Sequence, residues 1–276
     1  MKYPFFLKKL VHNSKYALNR LPHREFIQLD WYAGNNNFGD ILNPFIVGQF
    51  STKKILNVRS RYVTSDHLLA IGSIIDRATS HSIIWGSGLQ TDTSIFISRP
   101  KKVCAVRGPH TRDKLVKAGV ACPEIYGDPA LLLPRYYKPK VNRRYALGVI
   151  PHYKDKDAPW LKSLPEDVLL IDIQNPKPLE VIDNLCSCDM VASTSLHGLI
   201  VTDAYGIPNL WISLSDRLTS ANFKYQDYFA SIGMEPQKCF EVKPDTPLEE
   251  VKSRCATRKL RIDLDLLEAS FPEEFL

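Results

Sequence analysis

The residues best suited to chemistry cluster near position 195. Ser193-Thr194-Ser195-Leu196-His197-Gly198 follows the apolar Val191-Ala192 and leads into an apolar run that stops at Gly206 and Pro208. The pattern predicts a strand end, a polar turn, a short helix and a further strand over 209–213. In this reading Thr194 or Ser195 caps the helix, its hydroxyl satisfying a free first-turn N–H. Gly206 takes the left-handed position past the last turn, and Pro208 prevents the helix from continuing. His197 then stands in a first turn whose N–H groups and dipole favour an anion. One reading is an anion pocket with a titratable imidazole in it. The other is a histidine that caps a turn between buried strands.

Four more side chains have suggestive placements. Arg107 ends the apolar segment 101–106 and precedes Gly108-Pro109, where Pro109 suits the first helical position and Gly119 the residue past the last turn. A guanidinium there can grip a phosphate or carboxylate through two parallel hydrogen bonds; a surface salt bridge is the competing account. Asp40 ends the Gly/Asn-rich run 34–40, between a strand over 26–32 and a helical stretch over 41–48. A Rossmann-like lobe places ligands at such a turn. Asp40 is there a general base, a hydroxyl acceptor or an ordinary N-cap. His152 follows a strand over 145–150 and belongs either to a cleft or to a turn. Lys224 lies in an amphipathic helix over 222–229 that directs it toward the same cleft.

These residues need a scaffold, and the rest of the chain supplies an alternating one. Apolar segments at 67–73, 82–88 and 101–106 read as buried strands, and 109–119 as a helix. The stretch 123–133 closes a first lobe, with Asp128 in a turn at the same edge, and 134–144 connects it to a second. There, strands over 145–150 and 168–173 and a helix over 179–186 precede the segment around His197. Helices over 248–260 and 262–267 close the chain and pack back onto the first lobe. Strands alternating with helices imply parallel sheets with right-handed crossovers. The expected fold is α/β, with two Rossmann-like lobes and the ligand cleft between them. The expected division is a basic segment 1–24, an N-terminal lobe 25–140 and a C-terminal lobe 141–276.

Composition narrows the class. The chain has 276 residues, 44% of them hydrophobic and 24% charged, as in globular proteins, and this argues against disorder and fibres. A net charge of +6 suits acidic small molecules or an anionic surface. Basic residues form no stripe interleaved with aromatics, so nucleic acid ranks low as a partner. The six cysteines show no C-x-x-C or Cys/His ligand spacing, so reduced thiols and no metal are expected. Segment 1–24 carries Lys2, Lys8, Lys9, Lys15, Arg20 and Arg24 among apolar residues and no acid. It suits either anionic headgroups or packing against the first lobe. Without a signal peptide or a bilayer-length apolar run, a cytoplasmic chain is expected, with peripheral contact at the inner membrane face.

Six stretches together resemble the polysaccharide pyruvyl transferase family: Asn37-Phe38-Gly39-Asp40, Trp85-Gly86-Ser87-Gly88, Arg107-Gly108-Pro109, Gly127-Asp128-Pro129-Ala130, Gly148-Val149-Ile150-Pro151-His152 and Ser195-Leu196-His197-Gly198. Each alone is weak; their order over most of the chain is specific. The resemblance implies a fold similar to GT-B glycosyltransferases, phosphoenolpyruvate as donor and co-substrate, no cofactor, and a sugar hydroxyl pair as acceptor. The product is then a cyclic pyruvate ketal on a polysaccharide or lipid-linked glycan. By that likeness His197, Arg107 and Asp40 are the catalytic residues. Arg107, Ser195, Leu196, His197, Gly198 and Lys224 hold the donor, and Asn37, Asp40 and His152 hold the acceptor. Many members of the family carry Arg where this chain has Ser195, so a cationic donor contact is either missing here or supplied by another group, Lys224 or Arg217. The short length looks most like the exopolysaccharide branch. Two other readings compete. One is a GT-B glycosyltransferase using a nucleotide sugar, with Asp203 on the ribose hydroxyls. The other is a glycan-binding protein without catalysis.

Overall fold

The computed structural model describes residues 25–34, 36–215 and 222–276; segment 1–24 and Arg217 lie outside them. In the first lobe, strands β1 (Phe26–Asp30), β2 (Lys54–Val58), β3 (His67–Leu69), β4 (Ser82–Trp85) and β5 (Lys102–Ala105) form a parallel sheet in the order β2-β1-β3-β4-β5. In the second, β6 (Leu147–Ile150), β7 (Val168–Leu170), β8 (Val191–Ser193), β9 (Asn209–Ser213) and β10 (Phe240–Glu241) repeat that arrangement in the order β10-β9-β8-β6-β7. Each lobe therefore has the doubly wound order 2-1-3-4-5, which opens a crevice between its first and third strands. Strands β3, β4, β6 and β8 are buried throughout, because helices cover both faces of a parallel sheet. This is the α/β fold with two Rossmann-like lobes that the alternating pattern predicts.

Helices α1 (Phe38–Ile41), α2 (Asn43–Val47), α3 (Pro109–Lys117) and α4 (Leu133–Tyr136) belong to the first half of the chain. Helices α5 (Pro178–Cys186), α6 (Leu196–Ala204), α7 (Asn222–Ser231), α8 (Leu248–Arg254) and α9 (Leu264–Ala269) follow. The single helix expected over 41–48 is broken, since Pro44 lacks an N–H and its ring opposes the preceding turn. Asn43 at the corner donates to the Asp40 and Ile71 carbonyls at 3.0 and 2.9 Å and accepts from the Ile71 N–H at 2.9 Å. The break thus fixes α1 against the end of β3. Strand β2 is not apparent in the sequence: as an edge strand it buries fully only Val58. The helix expected over 248–260 stops at Arg254, after which Cys255 turns extended and Ala256 pairs with Asn209.

The lobes share one core. Ala130, Leu131 and Leu132 of the first lobe pack in the same buried cluster as Leu196, Leu199 and Ile200 of α6. The C-terminal tail returns to the first lobe. Trp85 donates its indole N–H to the Leu267 carbonyl at 2.9 Å, and Phe271 stacks on Phe50 with ring centres 4.5 Å apart. Lys102 reaches Glu274 at 2.9 Å. Among the described residues no helix is long and apolar enough to cross a membrane.

Trp85 is fully buried and binds this tail through both its ring and its N–H. Trp85→Ala leaves a large cavity and removes the indole hydrogen bond to the tail, and destabilises the fold by about 3–5 kcal/mol. Urea unfolding followed by circular dichroism measures this loss, and a change below 1 kcal/mol contradicts the role assigned to the tail.

Candidate active site

The crevices of the two sheets face each other across a pocket of about 390 Å3, in the usual range of ~300–1,000 Å3 for small-ligand sites. Its walls come from the segments after β1, β3 and β4 in one lobe and after β6, β7 and β8 in the other, closed by α7. Asp40, Arg77, His152, His197 and Lys224 all line it. Asp40 is the one carboxylate in that lining among the described residues, against the cations Arg77 and Lys224.

His197 sits in the first turn of α6, as its spacing predicts, and reaches into the opposite lobe. Its Nε2 lies 3.4 Å from Oδ2 of Asp128, and neither of these buried atoms has a hydrogen-bond partner. Asp128 is buried and spends its other oxygen on the Ala130 N–H at 3.0 Å. The buried carboxylate therefore faces the imidazole across the lobe boundary. On another side the ring lies against Gly39, where a Cβ would stand 1.9 Å from Nδ1. Only glycine at position 39 lets the two lobes bring His197 this close.

The N-terminus of α6 is open. Ser195 occupies the N-cap position but makes no side-chain cap bond. Thr194 does not cap either, since its hydroxyl donates to the Ile150 carbonyl at 3.2 Å. Ser193 ties the turn instead, accepting from the Ser195 N–H at 3.0 Å and donating to its carbonyl at 2.9 Å. The expected hydroxyl cap is thus replaced by N–H groups of the first turn left to a ligand, beside Ser195 and Leu196 in the pocket wall. Gly198 is required there because a Cβ would come within 2.3 Å of the Ser193 hydroxyl.

Asp40 is not the N-cap of α1. Asn37 holds that position, and Asp40 is the third helical residue, buried. Burial pushes its carboxyl up to about 6, against the pull of His197, Arg77, an Asn37 hydrogen bond and Lys224. Lys224 responds in the opposite sense. Desolvation, then the Arg107 guanidinium, lowers its ammonium to about 8, and Asp40 opposes this. Both groups thus titrate near neutral pH. His152 lines the far wall and packs on Tyr153 with ring centres 4.2 Å apart. Its imidazole is lowered, chiefly by burial.

Arg107 departs from expectation. It is 1% exposed and does not line the pocket. Its Nε donates to Asp227 at 3.0 Å, Nη1 to the Ser73 hydroxyl at 2.7 Å and Nη2 to the Leu89 carbonyl at 2.7 Å. Asp227 lies one turn beyond Lys224 on α7, so Arg107 anchors the helix that carries the pocket's lysine instead of contacting the ligand itself. Gly88 and Gly108 make room for this clamp: a Cβ on either would fall 2.3 Å from the Arg107 guanidinium carbon and 1.9 Å from the Asp227 carbonyl, respectively. Arg77, which the sequence does not single out, supplies a pocket cation while holding Asp30 at 3.3 Å. Asp203, expected on ribose hydroxyls in the nucleotide-sugar reading, is buried and taken by Arg258 at 3.0 Å, Asn209 at 2.6 Å and Tyr228 at 2.8 Å. It is unavailable to a ligand.

The profile of the polysaccharide pyruvyl transferase family matches residues 7–216, most of the chain and every wall of the pocket except α7. The chain belongs to that family. Uncharacterized protein L143 of Acanthamoeba polyphaga mimivirus is 31% identical over 222 residues, 77% of each chain. Succinoglycan biosynthesis protein ExoV of Rhizobium meliloti (strain 1021) is 28% identical over 220 residues, 74% of this chain and 64% of that one. A crystal structure of an uncharacterized protein of Klebsiella pneumoniae, KP1_0663, overlaps 88% of this chain and all of its own at 14% identity and a TM-score of 0.46. For this family member, the motif residues Asp40, Asp128 and His197 meet in one place.

Burying Asp40 has a measurable cost. Its carboxyl titrates at 3.8 when unfolded and at about 6 when folded, so the folded state holds its proton more tightly. That stabilisation is complete below pH 3.8 and is lost as pH rises through 6; at 1.36 kcal/mol per unit the loss is about 3 kcal/mol. Asp40→Asn removes this slope. Unfolding free energies at pH 4.5, 5.5 and 7 are expected to fall more steeply for the unaltered protein than for the variant, and parallel curves contradict the burial.

Proposed function

We propose that this chain moves the enolpyruvyl group of phosphoenolpyruvate onto two hydroxyls of a sugar in a polysaccharide or lipid-linked oligosaccharide, forming a cyclic pyruvate ketal. Family membership supports the reaction class, and the name of the Rhizobium relative supports an exopolysaccharide as its setting. The observation that carries the reading is the meeting of His197 and Asp40, from different lobes, in a pocket whose other charged groups are cationic.

The donor brings a phosphate and a carboxylate. Lys224, Arg77 and the open N–H groups of α6 suit these two anions, with Lys224 in the part otherwise expected of a cation at position 195. His197, facing Asp128, acts as the acid and gives a proton to the donor methylene, which becomes a methyl group. The first sugar hydroxyl bonds to the adjacent carbon as Asp40 takes its proton, with Asn37 and His152 aligning the acceptor. The carbon–oxygen bond to phosphate then breaks. The second hydroxyl closes on the same carbon, and its proton leaves with the phosphate as hydrogen phosphate. Asp40 passes its proton back to His197 through solvent, so the two hydroxyl protons are accounted for by the methyl group and the phosphate. The nucleotide-sugar reading loses its main support with Asp203 enclosed by Arg258, Asn209 and Tyr228.

His197→Ala is expected to reduce phosphate release from phosphoenolpyruvate by about 10²–10⁴-fold. Near-normal turnover by that variant on a panel of glycosides sinks the reading. Phosphoenolpyruvate, and not a nucleotide sugar, is expected to raise the melting temperature.

The pH dependence of kcat/KM should be bell-shaped. Its acid limb lies near 6, where Asp40 takes a proton and ceases to be a base, and the loss of the Lys224 charge near 8 contributes to its alkaline limb. Lys224→Arg is expected to move the alkaline limb upward and leave the acid limb in place. Steady-state rates from pH 5 to 9.5 test this, and an alkaline limb unmoved in the variant excludes Lys224 as its source.

A further inference from the structure

Two exposed aromatic residues of the pocket take no part in the proposed catalysis. Tyr32 and Tyr153 line the pocket from opposite lobes, and each is 41% exposed. They occupy matching places: Tyr32 lies two residues past the end of β1 and Tyr153 three past the end of β6, each β-strand being the first of its sheet. Each ring also has a cation from its own lobe over it, Arg77 at 5.8 Å from the Tyr32 ring centre and Lys154 at 6.0 Å from that of Tyr153. Two lobes with different sequences thus present the same device at one mouth.

An anionic three-carbon donor makes no use of exposed aromatic faces. A pyranose does, because its axial C–H bonds form apolar patches that leave water against a ring, while its hydroxyls reach the polar groups at the edge. Tyrosine gives such contact area at a small cost in conformational freedom. The surrounding chain holds the rings in place. Gly34 lies so close beneath Tyr32 that a Cβ would fall 2.6 Å from the phenol oxygen, and His152 packs against Tyr153. The position is also chemically apt, since Asn37, Asp40 and His152 lie in the same lining.

We propose that Tyr32 and Tyr153 form the acceptor subsite, a stacking platform for a hexopyranose ring whose hydroxyls then face Asp40. The subsite rests on the transfer reaction proposed above, and it adds the residues that select a sugar as acceptor. On this assignment the rings serve the acceptor and the cations serve the donor, so the two substrates are separable at this site.

Saturation-transfer NMR on the full chain with methyl β-D-glucopyranoside and methyl β-D-galactopyranoside tests the platform, and the thermal shift with phosphoenolpyruvate is measured on the same samples. The unaltered protein is expected to transfer saturation to ring C–H protons of at least one glycoside. Tyr32→Ala and Tyr153→Ala should each weaken that glycoside about 3- to 10-fold, with Tyr→Phe at either position restoring it. The phosphoenolpyruvate shift should stay unchanged in both Tyr153 variants and in Tyr32→Phe, which also shows that they fold, while Tyr32→Ala, which removes the ring under Arg77, is checked for folding by circular dichroism. Alanine variants that bind the glycoside as the unaltered protein does overturn the platform, and so does an unaltered protein that binds neither glycoside. A missing phosphoenolpyruvate shift in the unaltered protein counts against the donor assignment alone, because glycoside binding is read separately.

Discussion

Everything at the site depends on one contact between lobes, the imidazole of His197 lying on Gly39 and facing Asp128. The ring comes from the second sheet, and both partners come from the first. A methyl group at position 39 could not share that space. The same approach that seats the ring buries Asp40, the next residue along α1, and so raises its carboxyl to about 6. One steric allowance therefore sets both the position of the imidazole and the acidity of its neighbour. The shared core around Ala130, Leu131 and Leu199 holds the two lobes at the required distance.

A second tie fixes the remaining wall. Arg107 binds Asp227 of α7 on one side and Ser73 and Leu89 of the first lobe on the other. Asp227 in turn accepts from the Thr111 N–H and hydroxyl at 2.9 and 2.7 Å, so α3 and α7 are joined through one buried carboxylate. A buried ion pair of this kind adds little to stability compared with a well-packed apolar pair, yet breaking either half leaves an uncompensated charge. Its value here is positional: it holds Lys224 over the pocket and keeps a second positive charge close behind it.

The sequence reveals the repeating half of this architecture and conceals the pairwise half. Buried parallel strands read as apolar runs, and Pro109, Gly119 and Gly206 mark helix ends by their own backbone preferences, so these features are local and legible. His197 is found the same way, by its place after a strand and before an apolar helix. What a charged side chain binds is not local. Arg107 at a strand end looks the same whether its partner is a phosphate or Asp227, 120 residues away. Asp203 on its helix looks equally ready for a ribose until Arg258 and Tyr228 fold over it. Arg77 escapes notice because it lies in a single 3-10 turn, Ile75–Arg77, with no periodic pattern around it. Strand β2 escapes because an edge strand keeps its polar residues.

The same reasoning explains why this pocket tolerates groups that a core would reject. An isolated buried carboxylate or ammonium would be neutralised by desolvation. Asp40 and Lys224 each oppose the other's shift, so neither is driven as far as burial alone would take it. The pair rests at about 6 and about 8, leaving both ionised between those values. An anion entering between Arg77, Lys224 and the α6 N-terminus adds negative charge beside Asp40. Like charge raises a carboxyl further and makes it a stronger base at the moment an acceptor hydroxyl is present. In the transfer reaction proposed above, this turns the cost of holding Asp40 ionised toward proton abstraction, a reason for a fold to keep a carboxylate where burial opposes it.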